Sequence, residues 1–205
     1  MIKAIIFDVG DVLIHEDPSE SRKRICSKFN LDLDRLKEYS KKNLEFSHKG
    51  LLHYNDFFKN FLKQESSNAN YLDLVKEWVK ARNRYSKINY QLLKIIKKLK
   101  KHYFIGLLTN STNLNDKAIA RRLIYKLFPF KILSNKVNHM KPEKEIYEIL
   151  ISKLKKINIR PEETIFVDDR EVNMVIAKEK RIDTILFKDN KSFLGELKSR
   201  GIKYD

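Results

Sequence analysis

The sequence of 205 residues predicts an α/β protein in which a parallel β-sheet is covered by helices on both faces. Two observations support this fold class. Short apolar runs alternate with stretches that repeat apolar residues at helical spacing, which is typical of strand–helix–strand units. One interval between two such runs is longer than a single crossover requires, and its pattern is helical. The sequence therefore predicts a sheet-based core with a helical insertion.

Five apolar runs are the predicted strands of the sheet. The first ends at Asp8, and Gly10 two residues later favours a sharp turn. Because the first run leads directly into an aspartate, we expect that side chain at the exposed end of a strand, where open α/β sheets bind ligands. In chain order the predicted strands are Ala4–Phe7, Tyr103–Thr109, Phe130–Leu133, Thr164–Val167 and Thr184–Phe187.

The interval between Asp8 and the strand that begins near Tyr103 predicts a separate helical subdomain. A strand–helix–strand unit needs about 30 residues, which leaves about 60 to 70 residues beyond the needs of one crossover. No convincing strand occurs there, and one helix face from Tyr71 to Tyr85 is apolar except for Arg82. The predicted division is a helical subdomain at residues 15–87, inserted into a sheet-based core at residues 1–14 and 88–205.

The remaining helices are predicted from apolar residues spaced three or four apart. Lys141 and Pro142 are expected to open the strongest of them. The apolar positions are Leu92, Ile95, Ile96 and Leu99; Ile119, Leu123 and Leu127; Ile146, Ile149, Leu150 and Leu154; and Val172, Val175 and Ile176, with a last short helix at about Ser192 to Ser199.

The composition argues against several classes of protein. No apolar run approaches the roughly 18 residues of a membrane span, and Asp8 would interrupt the core of a signal peptide. The single cysteine, Cys26, excludes an intrachain disulfide and a cysteine-based metal cluster, and we expect it to be a packing residue in a helix. These features predict a protein of the reducing cytoplasm, without indicating its oligomeric state.

The formal net charge of +16 would attract an anionic partner. The basic residues are mostly lysines spread over helix faces, and the densest cluster, Lys97 to Lys101, has no interleaved aromatic residues. We interpret these lysines as a solvated surface, so nucleic acid is not the expected partner.

Polar residues at the predicted strand and helix ends favour phosphoryl transfer. A carboxylate at Asp8 could attack phosphorus, and a divalent cation would then have to bridge two anions. Asp8, a turn carbonyl at Gly10, and Asp168 are candidate Mg²⁺ ligands. Lys141 and the polar pair Thr109 and Asn110, followed by the Ser111 amide, are candidates to bind the phosphoryl oxygens. Taken singly, each of these residues also fits an ordinary role as a cap, a loop residue or surface.

Together these stretches resemble the haloacid dehalogenase-like hydrolase superfamily. The resemblance covers nearly the whole chain and is carried by Phe7–Leu13, Leu107–Ser111, Met140–Pro142, and Ile165–Asp169 with Asn173. It implies a five-stranded Rossmann-like core (residues 1–14 and 88–205) and a helical cap (residues 15–87). It also implies a magnesium-dependent phosphatase that hydrolyses a small phosphorylated metabolite, a phosphate monoester, through an aspartyl-phosphate intermediate.

The resemblance also implies roles for individual residues. Asp8 would be the nucleophile, Thr109 and Lys141 would bind phosphate, Asp168 would be a metal ligand, and Asp169 would be an auxiliary ligand. Asn173 would be a positioning residue in the same loop. Within the superfamily, the sequence looks closest to the alpha-glucose-1-phosphatase-like branch and to the phosphatase domain of soluble epoxide hydrolases.

One departure from the family pattern affects proton transfer. Most phosphatases of this superfamily carry an aspartate two residues after the nucleophile as the general acid, but this chain has Gly10 there, and Asp11 lies one residue further on. Because general acid catalysis contributes about a hundred- to ten-thousand-fold, we expect a preference for leaving groups that need little protonation. Glucose 1-phosphate is one such substrate.

Two alternative functions share the predicted fold. A 2-haloacid dehalogenase would use Asp8 to attack carbon without a metal, although the acidic pair Asp168–Asp169 favours phosphate. A degenerate protein would bind a phosphorylated ligand without turnover, and Gly10 is the only support for it. The polar residues of the cap that are candidates to face the site are His15, Arg22, Glu45, His48 and His53.

Overall fold

A five-stranded parallel sheet forms the centre of the protein in a computed structural model, whose description covers residues 1–204. The strand order is β5–β4–β1–β6–β7, and a second, two-stranded sheet pairs β2 with β3. The strands are β1 (Ala4–Phe7), β2 (Ile14–Glu16), β3 (Ser86–Ile88), β4 (Phe104–Thr109), β5 (Lys131–Leu133), β6 (Thr164–Asp168) and β7 (Asp183–Leu186). The predicted α/β fold and its five parallel strands are confirmed.

The register of the central strands brings two aspartates to one edge of the sheet. Phe7 pairs with Leu107 of β4 and with Val167 of β6. The amide of Asp8 then donates to the Val167 carbonyl at 2.8 Å, which continues the ladder by one residue. Because parallel strands end at the same edge, Asp8 and Asp168 follow paired residues and lie side by side.

Helices cover both faces of the sheet and also form a separate unit. The α-helices are α1 (Pro18–Phe29), α2 (Leu33–Lys42), α3 (Leu44–His48), α4 (Tyr54–Gln64), α5 (Tyr71–Arg84), α6 (Tyr90–Leu99), α7 (Ile119–Leu127), α8 (Ser134–Val137), α9 (Lys144–Lys155), α10 (Val172–Glu179) and α11 (Asn190–Ser199). No helix among residues 1–204 has the length and apolar character needed to cross a membrane.

Two hydrophobic clusters lie on opposite faces of the sheet. Ile5 and Phe7 of β1 pack into the cluster that contains residues of α6, α7 and α11. Ala4 and Ile6 pack into the cluster that contains residues of α9 and α10. This alternation follows from the two-residue period of a strand, and it holds β1 rigidly between two cores.

A third cluster lies mainly in the helical unit formed by α1 to α5, and Leu114, from the segment after β4, also packs into it. Ile25, Leu36, Phe58 and Leu74 are fully buried in it, so this unit has a core of its own. Cys26 is buried there, and burial raises the pKa of its thiol to about 11. The thiol is therefore neutral and inert at pH 7, as expected for a packing residue.

The helical unit leaves and rejoins the core through the antiparallel pair of β2 and β3. Ile14 pairs with Ile88, and Glu16 pairs with Ser86. The sequence indicated no strand in this part of the chain. A three-residue strand carries too little periodicity to be recognised, and its pairing here depends on a partner about 70 residues away in the chain.

The face of α7 that packs inward differs from the face that its apolar spacing indicates. Ile119, Leu123 and Leu127 predict the helix correctly but are each about half exposed, at 57%, 48% and 50%. Arg121 and Ile124 are buried instead. A pattern that counts only apolar residues misses this face because an arginine points into it.

Candidate active site

A buried lysine joins two of the predicted carboxylates. Lys141 Nζ donates to Asp8 Oδ1 at 2.7 Å and to Asp168 Oδ2 at 2.5 Å. The exposed fractions of the three residues are 2% for Lys141, 7% for Asp8 and 0% for Asp168. Buried charges are stable only when paired, so this contact fixes both carboxylates at the carboxyl edge of the sheet.

The backbone of Lys141 is held by the side chain of Asn110. The Lys141 amide donates to Asn110 Oδ1 at 2.8 Å, and Asn110 Nδ2 donates to the Lys141 carbonyl at 2.9 Å. The sequence predicted that the Asn110 backbone amide helps to bind the phosphoryl group, and this stays a prediction. The structure adds a separate role for the Asn110 side chain, which positions the lysine.

Two other predicted phosphate-binding groups are engaged within the protein. The Thr109 side chain is buried at the end of β4, with Oγ1 at 3.4 Å from the Asn110 carbonyl. The Ser111 amide donates to Ser134 Oγ at 2.9 Å. Hydrogen bonds inside the core therefore use the Ser111 amide, which had been a candidate phosphate donor.

Three carboxylates converge at this edge. Asp168 Oδ1 accepts hydrogen bonds from the Arg170 amide and from Asn173 Nδ2, both at 2.9 Å. Asp8, Asp168 and Asp169 each offer an oxygen within 4.8 Å of the others. Asn173 thus positions Asp168, which agrees with its expected role.

The electrostatics of this acidic group suit a divalent cation. Burial raises the pKa of Asp8, and the attraction of Lys141 opposes that shift. Burial and the nearby charges of Asp8 and Asp168 raise the pKa of Asp169 to about 6. Lys141 pairs with two of the three carboxylates, Asp169 lies beside them, and carboxylate oxygens are the ligands that Mg²⁺ prefers. The donor set therefore fits a magnesium ion.

Gly10 and Asp11 lie in the turn after β1, but only position 10 is beside the Asp8 carboxylate. Asp11 adopts a left-handed backbone conformation (φ 51°), is exposed, and accepts a hydrogen bond from His15 at 2.8 Å. A Cβ built at Gly10 would lie 3.7 Å from Asp8 Oδ2 and 3.9 Å from Arg121 Nη2. Asp11 therefore does not occupy the place beside Asp8, and Gly10 leaves that place open.

A cavity of about 420 Å³ lies between the acidic edge and the helical unit. Asp8, Gly10, Lys141 and Asp169 line its floor, and helices of the helical unit contribute aromatic and charged side chains. Of the five polar residues proposed to face the site, Arg22 and His48 line this cavity. The other three, His15, Glu45 and His53, are not part of its lining.

An ion-pair cluster in the cavity wall was not expected from the sequence. Glu16 accepts hydrogen bonds from Arg121 Nε and Nη2, both at 3.1 Å, and also from Arg82. Each of the three side chains is less than 10% exposed. The only signal in the sequence was Arg82, the single polar residue on an apolar helix face; nothing distinguished Glu16 or Arg121.

His48 is fixed in the cavity wall by its backbone. Ser134 Oγ donates to the His48 carbonyl at 2.6 Å. Gly50 takes a left-handed conformation (φ 71°), and a Cβ there would collide with the Asn135 backbone. This close approach therefore requires glycine and holds the end of α3 against the core.

His48 is expected to reduce stability in acid. Burial, with the positive charges of Arg121, Arg170 and Lys141, lowers the pKa of His48 to about 4, whereas an unfolded histidine has a pKa of about 6.5. Between these values the unfolded chain binds the extra proton, so stability falls as the pH falls. Between about pH 7 and about pH 4.5, the His48→Gln variant should therefore lose less free energy of unfolding than the wild type, as measured by urea unfolding.

The control for this prediction is His102→Gln, because His102 is exposed and is not part of the cavity lining. Its acid dependence should match that of the wild type. An equal loss of stability in His48→Gln and the wild type would contradict the role assigned to His48.

Comparison with known proteins identifies related sequences. A family profile described as haloacid dehalogenase-like hydrolase matches residues 2–179. Bifunctional epoxide hydrolase 2 of Rattus norvegicus is 33% identical over 116 residues, or 54% of this chain and 20% of that protein. The same protein of Sus scrofa is 32% identical over 117 residues, again 54% and 20%. The aligned part thus spans about a fifth of the length of these relatives.

Solved structures share the fold over almost the whole chain. The magnesium complex of the HAD family enzyme BT-2542 from Bacteroides thetaiotaomicron has a TM-score of 0.75 and 25% identity, covering 95% of this chain and 98% of that one. Its complex with magnesium and inorganic phosphate has a TM-score of 0.73 and 24% identity, covering 95% and 99%. A protein from Porphyromonas gingivalis, described as a predicted HAD-like family hydrolase, has a TM-score of 0.79 and 20% identity, covering 99% of both chains.

Proposed function

The chain belongs to the haloacid dehalogenase-like hydrolase family, and we propose that within it the protein is a Mg²⁺-dependent phosphatase of small phosphate monoesters. One observation carries the proposal. Lys141 joins Asp8 and Asp168 in a buried contact at the floor of a cavity, with Asp169 beside them. This arrangement provides a nucleophile, a fixed positive charge and a set of oxygen ligands at one point.

Asp8, Asp168 and Asp169, with the backbone carbonyl of Gly10, are the residues proposed to hold Mg²⁺. When bound, the ion would offset the repulsion between the Asp8 carboxylate and the phosphoryl group. The bound magnesium and phosphate of the Bacteroides thetaiotaomicron enzyme support this assignment by analogy.

Asp8 Oδ2 is the proposed attacking atom. Lys141 occupies Oδ1, whereas Oδ2 faces the open place at Gly10. Attack on phosphorus forms an acyl phosphate and breaks the bond between phosphorus and the leaving-group oxygen. The leaving-group oxygen takes a proton from the solvent. Water then attacks the same phosphorus and gives up a proton to the solvent, the bond to Asp8 breaks, and inorganic phosphate is released with the carboxylate restored.

Lys141 and Asn110 support this step from the protein side. The ammonium group of Lys141 favours the ionised form of Asp8 and lies where negative charge develops on the phosphoryl oxygens. Asn110 holds the Lys141 backbone, so the charge remains in place without reorganisation. Thr109, at the end of β4, remains a proposed phosphate-binding residue.

The helical unit is the proposed cap, with residues 15–87 as its extent. It has its own hydrophobic cluster and contributes one wall of the cavity. Two short strands connect it to the core. A lid of this kind would exclude water from the reacting groups and select the leaving group.

Because Gly10 cannot donate a proton, we propose that the enzyme selects substrates by how easily their leaving group departs. Without an acid beside Asp8, the enzyme should hydrolyse glucose 1-phosphate faster than glucose 6-phosphate, since the anomeric oxygen leaves more easily. A Cβ fits at residue 10 without a close contact. In Gly10→Asp, the ratio of kcat/KM for glucose 1-phosphate to kcat/KM for glucose 6-phosphate should therefore fall by about tenfold or more.

Gly10→Asn is the matched control, since it adds the same shape without a proton to transfer. Its ratio of kcat/KM values should stay close to that of the wild type. A wild-type preference for glucose 6-phosphate would contradict the proposed basis of selectivity.

Removal of magnesium tests the proposed activity. Hydrolysis of p-nitrophenyl phosphate and of small phosphate esters should disappear in EDTA and return with excess Mg²⁺. Chloride release from 2-chloroacetate in EDTA, without phosphate release, would instead identify a dehalogenase. Binding of phosphate esters without turnover would identify a non-catalytic protein.

A further inference from the structure

The upper wall of the cavity contains polar atoms without partners. Among residues 1–204, nine buried side-chain nitrogen or oxygen atoms lack a hydrogen bond. Most of them belong to residues that line this one cavity. Those from the helical unit are Arg22 Nε, Ser40 Oγ, His48 Nδ1, Trp78 Nε1 and Arg82 Nε. Because an unsatisfied buried donor costs about 1 to 3 kcal/mol, these atoms indicate a ligand that supplies acceptors.

Positive charge exceeds negative charge in this wall. Arg82 and Arg121 share the single carboxylate of Glu16. Arg22 makes no hydrogen bond or ion pair within the described residues. Burial lowers the pKa of Arg82, and the positive charges of Arg121 and Arg22 add to that shift while Glu16 opposes it.

The nearby carboxylates do not neutralise this excess. Asp17 accepts hydrogen bonds from the Ser19 and Glu20 amides at the start of α1. Asp11 is exposed and bonded to His15. Both aspartates attract the arginines only from a distance, so the wall keeps a net positive charge toward the cavity.

The unpartnered arginines differ in chemistry from the floor of the site. Lys141 donates to Asp8 and Asp168 and has one N–H donor left for the phosphoryl group. Arg22 and Arg82 lie on the helical unit and present planar donors, which match the oxygens of a carboxylate or a phosphate. Trp78, with 9% exposure, adds an apolar ring and one unused donor beside them.

Resting on the phosphatase activity proposed above, we propose that the substrate is a phosphate ester whose leaving group carries a second anionic group, bound by Arg22 and Arg82. The phosphoryl group then lies over Asp8, while the second anion lies in the wall of the helical unit. A neutral leaving group could accept hydrogen bonds from the arginines but would leave their excess positive charge without a counter-ion. Selectivity therefore arises from charge on the leaving group.

Three substrates that share an anomeric phosphate test this inference on the wild-type enzyme. Glucose 1-phosphate has a neutral leaving group, glucuronic acid 1-phosphate adds a carboxylate, and glucose 1,6-bisphosphate adds a phosphate. At least one acidic substrate should show a kcat/KM about 10- to 100-fold above that of glucose 1-phosphate. The acidic substrate with the larger increase in kcat/KM identifies whether the wall binds a carboxylate or a phosphate.

Arg22→Gln tests the assigned residue. The ratio of kcat/KM between the acidic and the neutral substrate should fall toward one, mainly through KM for the acidic substrate. Lys23→Gln is the control, because Lys23 is exposed on the same helix and pairs with Glu20. Its ratio should equal that of the wild type.

The outcomes separate the two proposals. Equal or better hydrolysis of glucose 1-phosphate by the wild type would overturn the inference and leave the phosphatase assignment intact. Absence of hydrolysis of every ester with Mg²⁺ present would overturn both. If Arg22→Gln folds and its ratio of kcat/KM between the acidic and the neutral substrate equals that of the wild type, the role of Arg22 is overturned. If this variant does not fold, the comparison of the three substrates on the wild-type enzyme decides the inference.

Discussion

Replacement of Asp8 by asparagine should lower kcat by at least about four orders of magnitude. The change removes the attacking oxygen but keeps the shape of a side chain that is 7% exposed. Lys141 also loses one of its two carboxylate partners. The measurement is kcat on p-nitrophenyl phosphate with saturating Mg²⁺, with thermal unfolding as a check on the fold.

Asp11→Asn is the matched control for this prediction. Asp11 is exposed and bonded to His15, and asparagine tolerates its left-handed conformation. This variant should keep most of the wild-type activity. Full activity in a folded Asp8→Asn, or an equal loss in both variants, would contradict the assignment of Asp8 as nucleophile.

Replacement of Lys141 by methionine should abolish activity and also destabilise the fold. The variant leaves Asp8 and Asp168 buried without their cation, and loss of one partner of a buried pair costs about 3 to 5 kcal/mol. Urea unfolding at pH 7 measures the cost. Added Mg²⁺ should recover part of it, because the ion would bind the freed carboxylates in the native state alone.

The loss of stability in Lys141→Met should depend on pH. Burial already raises the pKa of Asp8, and Lys141 opposes that shift. Without the lysine, the folded-state pKa of Asp8 moves further above its unfolded value. The native state then binds more protons than the unfolded chain, so the deficit in stability should shrink as the pH falls from about 7 toward about 5.

Lys144→Met is the control for the lysine variant. Lys144 is exposed at the start of α9, three residues from Lys141. Its replacement should change neither activity nor stability by a measurable amount. A Lys141→Met variant as stable and active as this control would contradict the structural role of the buried lysine.

The sequence predicted those parts of the molecule that depend on local pattern. Apolar runs such as Ala4–Phe7 and Thr164–Val167 indicate strands because a parallel sheet buries both faces. Since such strands end at one edge, the polar residues after them, Asp8 and Asp168, were expected to meet. The structure places both on Lys141.

The parts that the sequence did not predict depend on contacts between distant residues. The pairing of Glu16 with Arg121 spans 105 positions, and each residue alone looks like solvated surface. Asn110 is a polar residue at a strand end, and only the structure shows that its amide holds the Lys141 backbone. Periodicity describes which face is apolar, but it does not identify the partner of a buried charge.

The central claim is that Asp8 carries the phosphoryl group during turnover. The most direct measurement traps the acyl phosphate during turnover. The enzyme is mixed with a phosphate ester that it hydrolyses, the reaction is quenched rapidly, and the acyl phosphate is reduced with borohydride. Mass spectrometry then examines the peptide that contains residue 8. We expect homoserine at position 8, dependent on substrate and absent in Asp8→Asn. Turnover with an initial burst of product, with reduction products at another aspartate or at none, would contradict the claim.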